Sequence, residues 1–135
     1  PTSTGETDMT IRVALAEDSG KPTALFMHHP PFEVRESTYG WQFDSQDGIE
    51  RIRRALDGKT NVIRLFSGHS HRDVGGWIAD VPASSTPSVA IDLRLGDFPA
   101  ELADVPIYQI HKINVVLGTV TSETRGARPA DVAAE

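Results

Sequence analysis

The stretch DSQDGIERIRRALDGKTNVIRLFSGHSH, residues 44–71, predicts a helix, then a strand, then two histidines. Its apolar residues recur at helical spacing and fall on one face: Ile49, Ile52 and Leu56. Three side chains can cap the start of this helix: Asp44, Ser45 and Asp47. Gly58 can end it, and the apolar run Asn61–Phe66 then predicts a strand.

A second apolar run precedes this stretch and has the length of a strand. Thr23–Met27 is mostly apolar, which is typical of a strand buried on both faces of a sheet. It ends at His28 and His29, and Pro30 and Pro31 follow at once. Two strands separated by a helix indicate a βαβ unit, so the fold class is predicted as α/β.

The remaining segments are shorter. Met9–Ala16 fits either a strand or a helix, and Glu33–Phe43 reads as a loop. Four segments after residue 74 are β-rich and bounded by turn residues, which predicts strands joined by hairpins: GGWIADVPA, PSVAIDLRL, IYQIHKINVVLG and TVTSE. No linker divides the chain, so we predict that residues 1–124 belong to one domain, of which they form a part. Residues 125–135 are predicted to form a flexible tail.

Composition narrows the function classes. A net charge of -6 and the lack of a Lys/Arg cluster weigh against nucleic-acid binding. No apolar stretch approaches the roughly 20 residues that cross a bilayer, so no membrane association is predicted. The absence of cysteine excludes thiolate metal sites and fits a cytoplasmic location.

Four of the five histidines lie just after predicted strands: His28, His29, His69 and His71. Ligands of open α/β sheets bind at the carboxyl ends of the strands, and imidazole is a common ligand of transition metals. If the two strands are neighbours, these rings converge on a metal site. A chance HxH pair or a packed turn is the alternative. His111 lies within a predicted strand and is predicted to be a surface histidine or a structural one.

The two histidine blocks carry a family resemblance. LFMHHPPF and LFSGHSHR, on either side of a helix, resemble the last two signature blocks of the calcineurin-like metallophosphoesterases. The likeness is greater to their class III cyclic-nucleotide phosphodiesterase and glycerophosphodiesterase branch, and TPSVAIDLRLG resembles the strand that follows there. The resemblance implies a four-layer α/β/β/α sandwich in which a metal-bound hydroxide at a two-metal centre hydrolyses a phosphodiester.

The resemblance also implies roles for individual residues. His28 and His69 resemble ligands of one metal ion, and His71 resembles a ligand of the other. His29 resembles a pocket residue, and we assign it to catalysis together with Arg72, which can face a phosphate. A surface salt bridge is the alternative for Arg72.

Cofactors and substrate follow from the same resemblance. It implies two divalent or mixed-valence ions, drawn from Mn, Fe, Zn or Co, and a small phosphoester substrate. Three residues after the prolines could line the substrate pocket: Glu33, Tyr39 and Trp41. Packing or a solvent-facing loop is the alternative for these three.

The blocks that carry the family's carboxylates have no match in the sequence. No D-x-H, G-D-x-x-D or G-N-H-[D/E] pattern is present, and three neutral imidazoles do not offset the charge of two divalent ions. We therefore predict the C-terminal portion of a phosphoesterase, inactive alone, with at most one weakly bound ion. Its partner would be the missing N-terminal half or a second copy in a homo-oligomer. The alternative is a non-catalytic metal-binding or assembly module with one or no metal.

Overall fold

Within the described residues, one long helix lies between the first two strands, and four further strands follow. A computed structural model describes residues 14–17, 20–35 and 45–127. Its strands and helix are β1 Thr23–Phe26, α1 Gln46–Leu56, β2 Val62–Ser67, β3 Val74–Ile78, β4 Val81–Ser85, β5 Ile107–Asn114 and β6 Thr119–Gly126. Two short 3-10 helices lie between β4 and β5, at Ile91–Leu93 and Ala100–Leu102.

The first four strands form one sheet in the order β1-β2-β4-β3. β1 and β2 are parallel neighbours joined through α1, and β4 is parallel to β2. β3 is antiparallel to β4, with which it forms a hairpin, while β5 and β6 form a separate antiparallel pair. The predicted βαβ unit, the α/β class and the hairpins of the second half are therefore confirmed.

Helix α1 begins and ends where its sequence predicts. Ser45 has extended backbone, and its Oγ accepts a hydrogen bond from the Gly48 amide at 3.1 Å. This bond satisfies one of the amides that a helix start leaves without a partner. Past the helix, Gly58 has a φ of +69°, a conformation that glycine adopts without steric cost.

The two faces of the sheet are covered by different elements. Leu65 packs on one face, in a core that includes Ile52 and Leu56 of α1. Because side chains alternate along a strand, Phe66 points to the other face. The ring centroids of Phe66 and of His111 in β5 are 4.2 Å apart. The described residues thus stack as helix, sheet and hairpin, and the complete four-layer sandwich stays a prediction.

The prediction that the first strand is buried on both faces is wrong for the described structure. Phe26 is 73% exposed, although its ring stacks on Phe66 with centroids 4.9 Å apart. β1 is an edge strand, so only β2 flanks it within the described sheet. The apolar run indicated strand correctly, but it does not report how many neighbours the strand has.

The strand predicted in PSVAIDLRL is also wrong. Residues Ile91–Leu93 form a 3-10 turn, in which the Arg94 amide donates to the Ile91 carbonyl at 3.2 Å. The Arg94 guanidinium donates to three backbone carbonyls, those of Leu102, Ala103 and Val105. These bonds hold the segment against a loop, so its alternating apolar residues pair with no strand among the described residues.

The remaining segment predictions fall partly outside the described ranges. Residues 14–17 are helical, which favours the helical alternative for the end of Met9–Ala16. β6 continues to Gly126, two residues into the predicted tail, because Gly126 pairs with Ile107. Most of the loop Glu33–Phe43 and residues 128–135 lie outside the description. Within the described ranges, no helix combines the length and apolar character needed to cross a membrane.

His111 is held as a structural histidine. Its Nδ1 lies 2.9 Å from the Ser122 Oγ across the hairpin. Burial lowers the pKa of His111 below its usual value of 6.5, and the charge of Arg64 lowers it further, while Asp73 opposes the shift. The folded protein therefore resists protonation of this ring more than the unfolded chain does.

We expect NMR titration of His111 to give a midpoint below 6.5, the unshifted value. As the pH falls, the unfolded chain takes up this proton before the folded protein does. The contribution of His111 to the free energy of unfolding is therefore fully present above about pH 6.5, the unshifted pKa. It is lost as the pH falls toward the folded pKa. Arg64→Met should raise the midpoint and the exposed-site control Arg125→Met should not. A midpoint at or above the unshifted value would contradict the assigned causes.

Candidate metal centre

Three histidines converge at the carboxyl edge of the sheet. His28 and His29 follow β1, and His69 follows β2, its parallel neighbour. The His28 Nε2 and His69 Nδ1 atoms lie 3.3 Å apart. One ring nitrogen from each of the three histidines lies within 4.8 Å of the other two. We call His28, His29 and His69 the histidine cluster.

The spacing of these nitrogens suits a shared ion. Two imidazole nitrogens at about 2.0–2.1 Å from a tetrahedral ion are separated by about 3.3–3.4 Å. The His28–His69 separation of 3.3 Å matches that value and is long for a direct hydrogen bond between the rings. His28 and His69 therefore have the spacing of two ligands of one transition-metal ion, for which neutral imidazole is a suitable ligand.

The surroundings of His69 favour the neutral form, which binds metal. Burial lowers the pKa of His69 below its usual value of 6.5, and the neighbouring His29, His28 and His71 lower it further. A neutral imidazole retains the lone pair that a metal needs, so the surroundings reduce the competition from protons.

The loop that carries the second pair of histidines has an unusual backbone. His69 has a φ of +60° and His71 a φ of +56°, both in the left-handed region. Side chains with a Cβ adopt this region at an energetic cost, and such residues concentrate at functional sites. The backbone between them must therefore be stabilised by contacts elsewhere in the fold.

A buried serine supplies these contacts. Ser70 is fully buried between the two strained histidines, and its hydroxyl is hydrogen-bonded to that of Ser85 at the end of β4. The Ser85 hydroxyl donates to the Gly68 carbonyl at 2.9 Å. The Gly68 amide donates to the His28 carbonyl at 2.9 Å, which joins the two histidine loops.

Sequence reasoning did not identify Ser70 and Ser85 as parts of the site. Ser70 lies between two histidines in the sequence, a position that could have marked it, but nothing local indicates its partner. Pro30 and Pro31, by contrast, are conspicuous in the sequence directly after His29, and both are fully buried.

The other described site residues are not members of the cluster. His71 is not one of its members, and its carbonyl accepts a hydrogen bond from the Leu95 amide at 2.9 Å. Arg72 lines a cavity beside β3. Glu33 is exposed, and its Oε2 lies 3.5 Å from the Arg35 Nε. The predicted pocket residues Tyr39 and Trp41 lie outside the described ranges.

No carboxylate among the described residues joins the three histidines. Asp73, an acidic residue four positions after His69, is directed elsewhere. Its Oδ2 accepts hydrogen bonds from the Gln109 Nε2 at 3.1 Å and from the Thr124 Oγ1 at 3.4 Å. The cluster therefore consists of three imidazoles and includes no described carboxylate.

Comparison with known proteins finds a partial similarity to a phosphodiesterase. No known protein-family profile matches this chain. Over 63 residues the chain is 30% identical to glycerophosphodiester phosphodiesterase GpdQ of Enterobacter lignolyticus. The likeness is to a phosphodiesterase. The match covers 45% of this chain and 21% of that protein, so the chain matches about a fifth of its relative's length.

Proposed function

We propose that this chain contributes to the metal centre of a phosphoesterase that cleaves phosphodiesters. The observation that carries the proposal is the 3.3 Å approach of His28 and His69 at the ends of parallel strands. The likeness to a glycerophosphodiester phosphodiesterase supports the same chemistry. His28 and His69 would hold one ion, and His71 would serve the second.

The bound ions would polarise a phosphoryl oxygen and lower the pKa of a coordinated water. The residues of this chain would position the ligands of the ions. His28 and His69 present ring nitrogens at the spacing of two ligands, and the Ser70–Ser85 bond holds the loop that carries one of them. His29, whose ring centroid is 4.2 Å from that of His69, would bind the same ion or hold a proton for the leaving oxygen.

Charge determines what else the centre needs. Two divalent ions require negatively charged ligands, and the histidine cluster offers none. The carboxylates would come from residues outside the described ranges, in this chain or in another. We propose a complementary N-terminal half or a second copy of the chain as their source. The 135-residue chain alone is then expected to hold at most one ion and to hydrolyse phosphodiesters negligibly.

A second candidate function is a non-catalytic module that binds a single ion for assembly. The observation that favours it is the same neutral donor set, because three imidazoles suffice for one zinc-like ion. In this case His71 would not bind metal. The two functions therefore differ in the number of ions that the assembled protein holds.

Metal content and turnover of the purified chain test both functions. We would count bound Mn²⁺ and Zn²⁺ by elemental analysis and follow hydrolysis of bis(4-nitrophenyl) phosphate, with His69→Ala as the control. The mass of each species would be recorded by native mass spectrometry. We expect one weakly held ion and negligible turnover in the monomer.

The other outcomes separate the functions. Two ions together with turnover that His69→Ala abolishes would support a phosphoesterase and contradict the expected inactivity of the chain. A single ion in every assembly, without turnover, would favour the binding module. Failure to bind any transition metal would reject both.

A further inference from the structure

The turn between β5 and β6 carries a run of exposed apolar side chains. Val115, Val116 and Leu117 follow one another in the chain and are 66%, 89% and 71% exposed. Ile113, at the end of β5, is 46% exposed. Consecutive apolar residues in contact with water are unfavourable unless they serve a contact with something else. We call residues 113–117 the hairpin tip.

The backbone of the hairpin tip has hydrogen-bond partners that do not depend on water. The amides of Val116 and Leu117 both donate to the Asn114 Oδ1, at 3.1 and 3.0 Å. A backbone amide that leaves water without an acceptor costs free energy. Because Asn114 satisfies two of these amides within the turn, the tip can enter an apolar medium at a lower cost.

The hairpin tip lies at the end of the sheet opposite to the histidine cluster, and the three lysines of the chain lie at the same end. A Cβ at Gly118 would lie 3.5 Å from the Ile63 Cγ2, near the start of β2, whereas the second histidine loop follows the end of that strand. Lys112 is exposed in β5 beside the tip. Lys21 and Lys59 lie just before β1 and β2.

The opposite end of the sheet is more acidic. The segment between β4 and β5 is joined to the His71 carbonyl through the Leu95 amide, and it carries four exposed carboxylates: Asp92, Asp97, Glu101 and Asp104. Asp57 and Asp80 lie at the tip end, next to the basic last turn of α1. The hairpin tip therefore belongs to the more positive end of a chain whose net charge is -6.

Size and composition favour a lipid surface over a protein partner. A stable protein interface takes about 20–30 residues from each side, whereas the hairpin tip offers four apolar side chains. The exposed residues beside it in β6 are polar, so the apolar area does not continue along the hairpin: Thr119, Thr121, Ser122 and Glu123. A protruding apolar turn near lysines combines the two components of interfacial binding, which are apolar insertion and attraction to anionic headgroups.

We propose that the hairpin tip docks on an anionic bilayer by inserting Val115, Val116 and Leu117 into its interface. Lys112 would contact headgroup phosphates, with its aliphatic stem along the apolar layer. The histidine cluster, at the opposite end, would face the aqueous phase. The expectation of no membrane association rested on the lack of a spanning stretch, a criterion that does not address a turn that enters only the interface.

Co-sedimentation with vesicles tests the proposal. The chain would be mixed, in EDTA, with vesicles of equal parts phosphatidylglycerol and phosphatidylcholine. We expect saturable binding that weakens as the ionic strength rises. Val116→Asp should weaken it at least about tenfold, because a charge would have to enter the apolar layer. Lys112→Gln should weaken it about fivefold through the loss of one attraction to the anionic surface.

Val89 provides the matched control, because it is a 60% exposed valine in the segment at the histidine end. Val89→Asp should bind vesicles like the wild type. The chain has no cysteine of its own, so a fluorophore can be attached at one place only. On vesicles its emission should rise in a Val116→Cys variant and stay constant in a Val89→Cys variant.

Two kinds of result would overturn the proposal. One is the lack of saturable vesicle binding by the folded chain, or equal losses in Val116→Asp and Val89→Asp. The other is a dimer in solution that Val116→Asp dissociates, which would assign the hairpin tip to a second copy of the chain. Because EDTA is present throughout, none of these results depends on the proposed metal centre.

Discussion

Replacing His69 by alanine is expected to lower the affinity of the chain for Co²⁺ by about 100-fold or more, since even outer-shell changes at metal sites cost 10–100-fold. His69 is the only cluster member from the second loop, and its Nδ1 lies 3.3 Å from the His28 Nε2. Its removal leaves two adjacent histidines of one loop. Calorimetry and the visible spectrum of bound Co²⁺ would measure the loss.

His111→Gln is the matched control for this experiment. His111 is also a partly buried histidine, but its ring contacts Phe66 and Ser122 in the hairpin, away from the cluster. Co²⁺ affinity should stay unchanged in this variant. Equal losses in the two variants, or full affinity in a folded His69→Ala protein, would show that the histidine cluster is not the metal site.

Replacing Gly76 by alanine is expected to destabilise the fold by about 1–3 kcal/mol, the usual cost of overpacking a core. A Cβ at this position of β3 would lie 2.5 Å from the Phe32 Cδ2 and 2.9 Å from two further atoms of that ring. Phe32 is buried in the core, directly after the two buried prolines. Urea unfolding followed by circular dichroism would measure the change.

The adjacent glycine provides a control within the same strand. A Cβ at Gly75 would meet nothing within 4 Å. Gly75→Ala should therefore be neutral, or stabilising by up to about 1 kcal/mol through reduced chain entropy. Because Phe32 follows the first histidine loop, Gly76→Ala should also weaken Co²⁺ binding. Equal stability of the two variants would contradict the packing of Phe32 against β3.

Local sequence patterns were sufficient for much of the fold. The spacing of Ile49, Ile52 and Leu56 predicted α1, because a helix repeats its buried face over a few neighbouring residues. The apolar runs before His28 and His69 predicted two strands, and the helix between them predicted their parallel pairing. From that pairing the convergence of histidines at one edge followed directly.

Contacts between distant residues decided what those patterns could not. Arg94 bonds to carbonyls 8 to 11 residues away and holds the segment that was predicted as a strand against a loop. The Ser70–Ser85 bond joins residues 15 apart and holds the strained loop.

The same limit applies to the site. The sequence by itself determined the βαβ unit and placed His28, His29 and His69 at adjacent strand ends. Only the tertiary structure left His71 outside the cluster, exposed Phe26 at an edge and left the Arg72 Nε without an acceptor among the described residues. The physical reason is that periodicity reports which face of an element is apolar, whereas side-chain partners depend on packing between elements far apart in the chain.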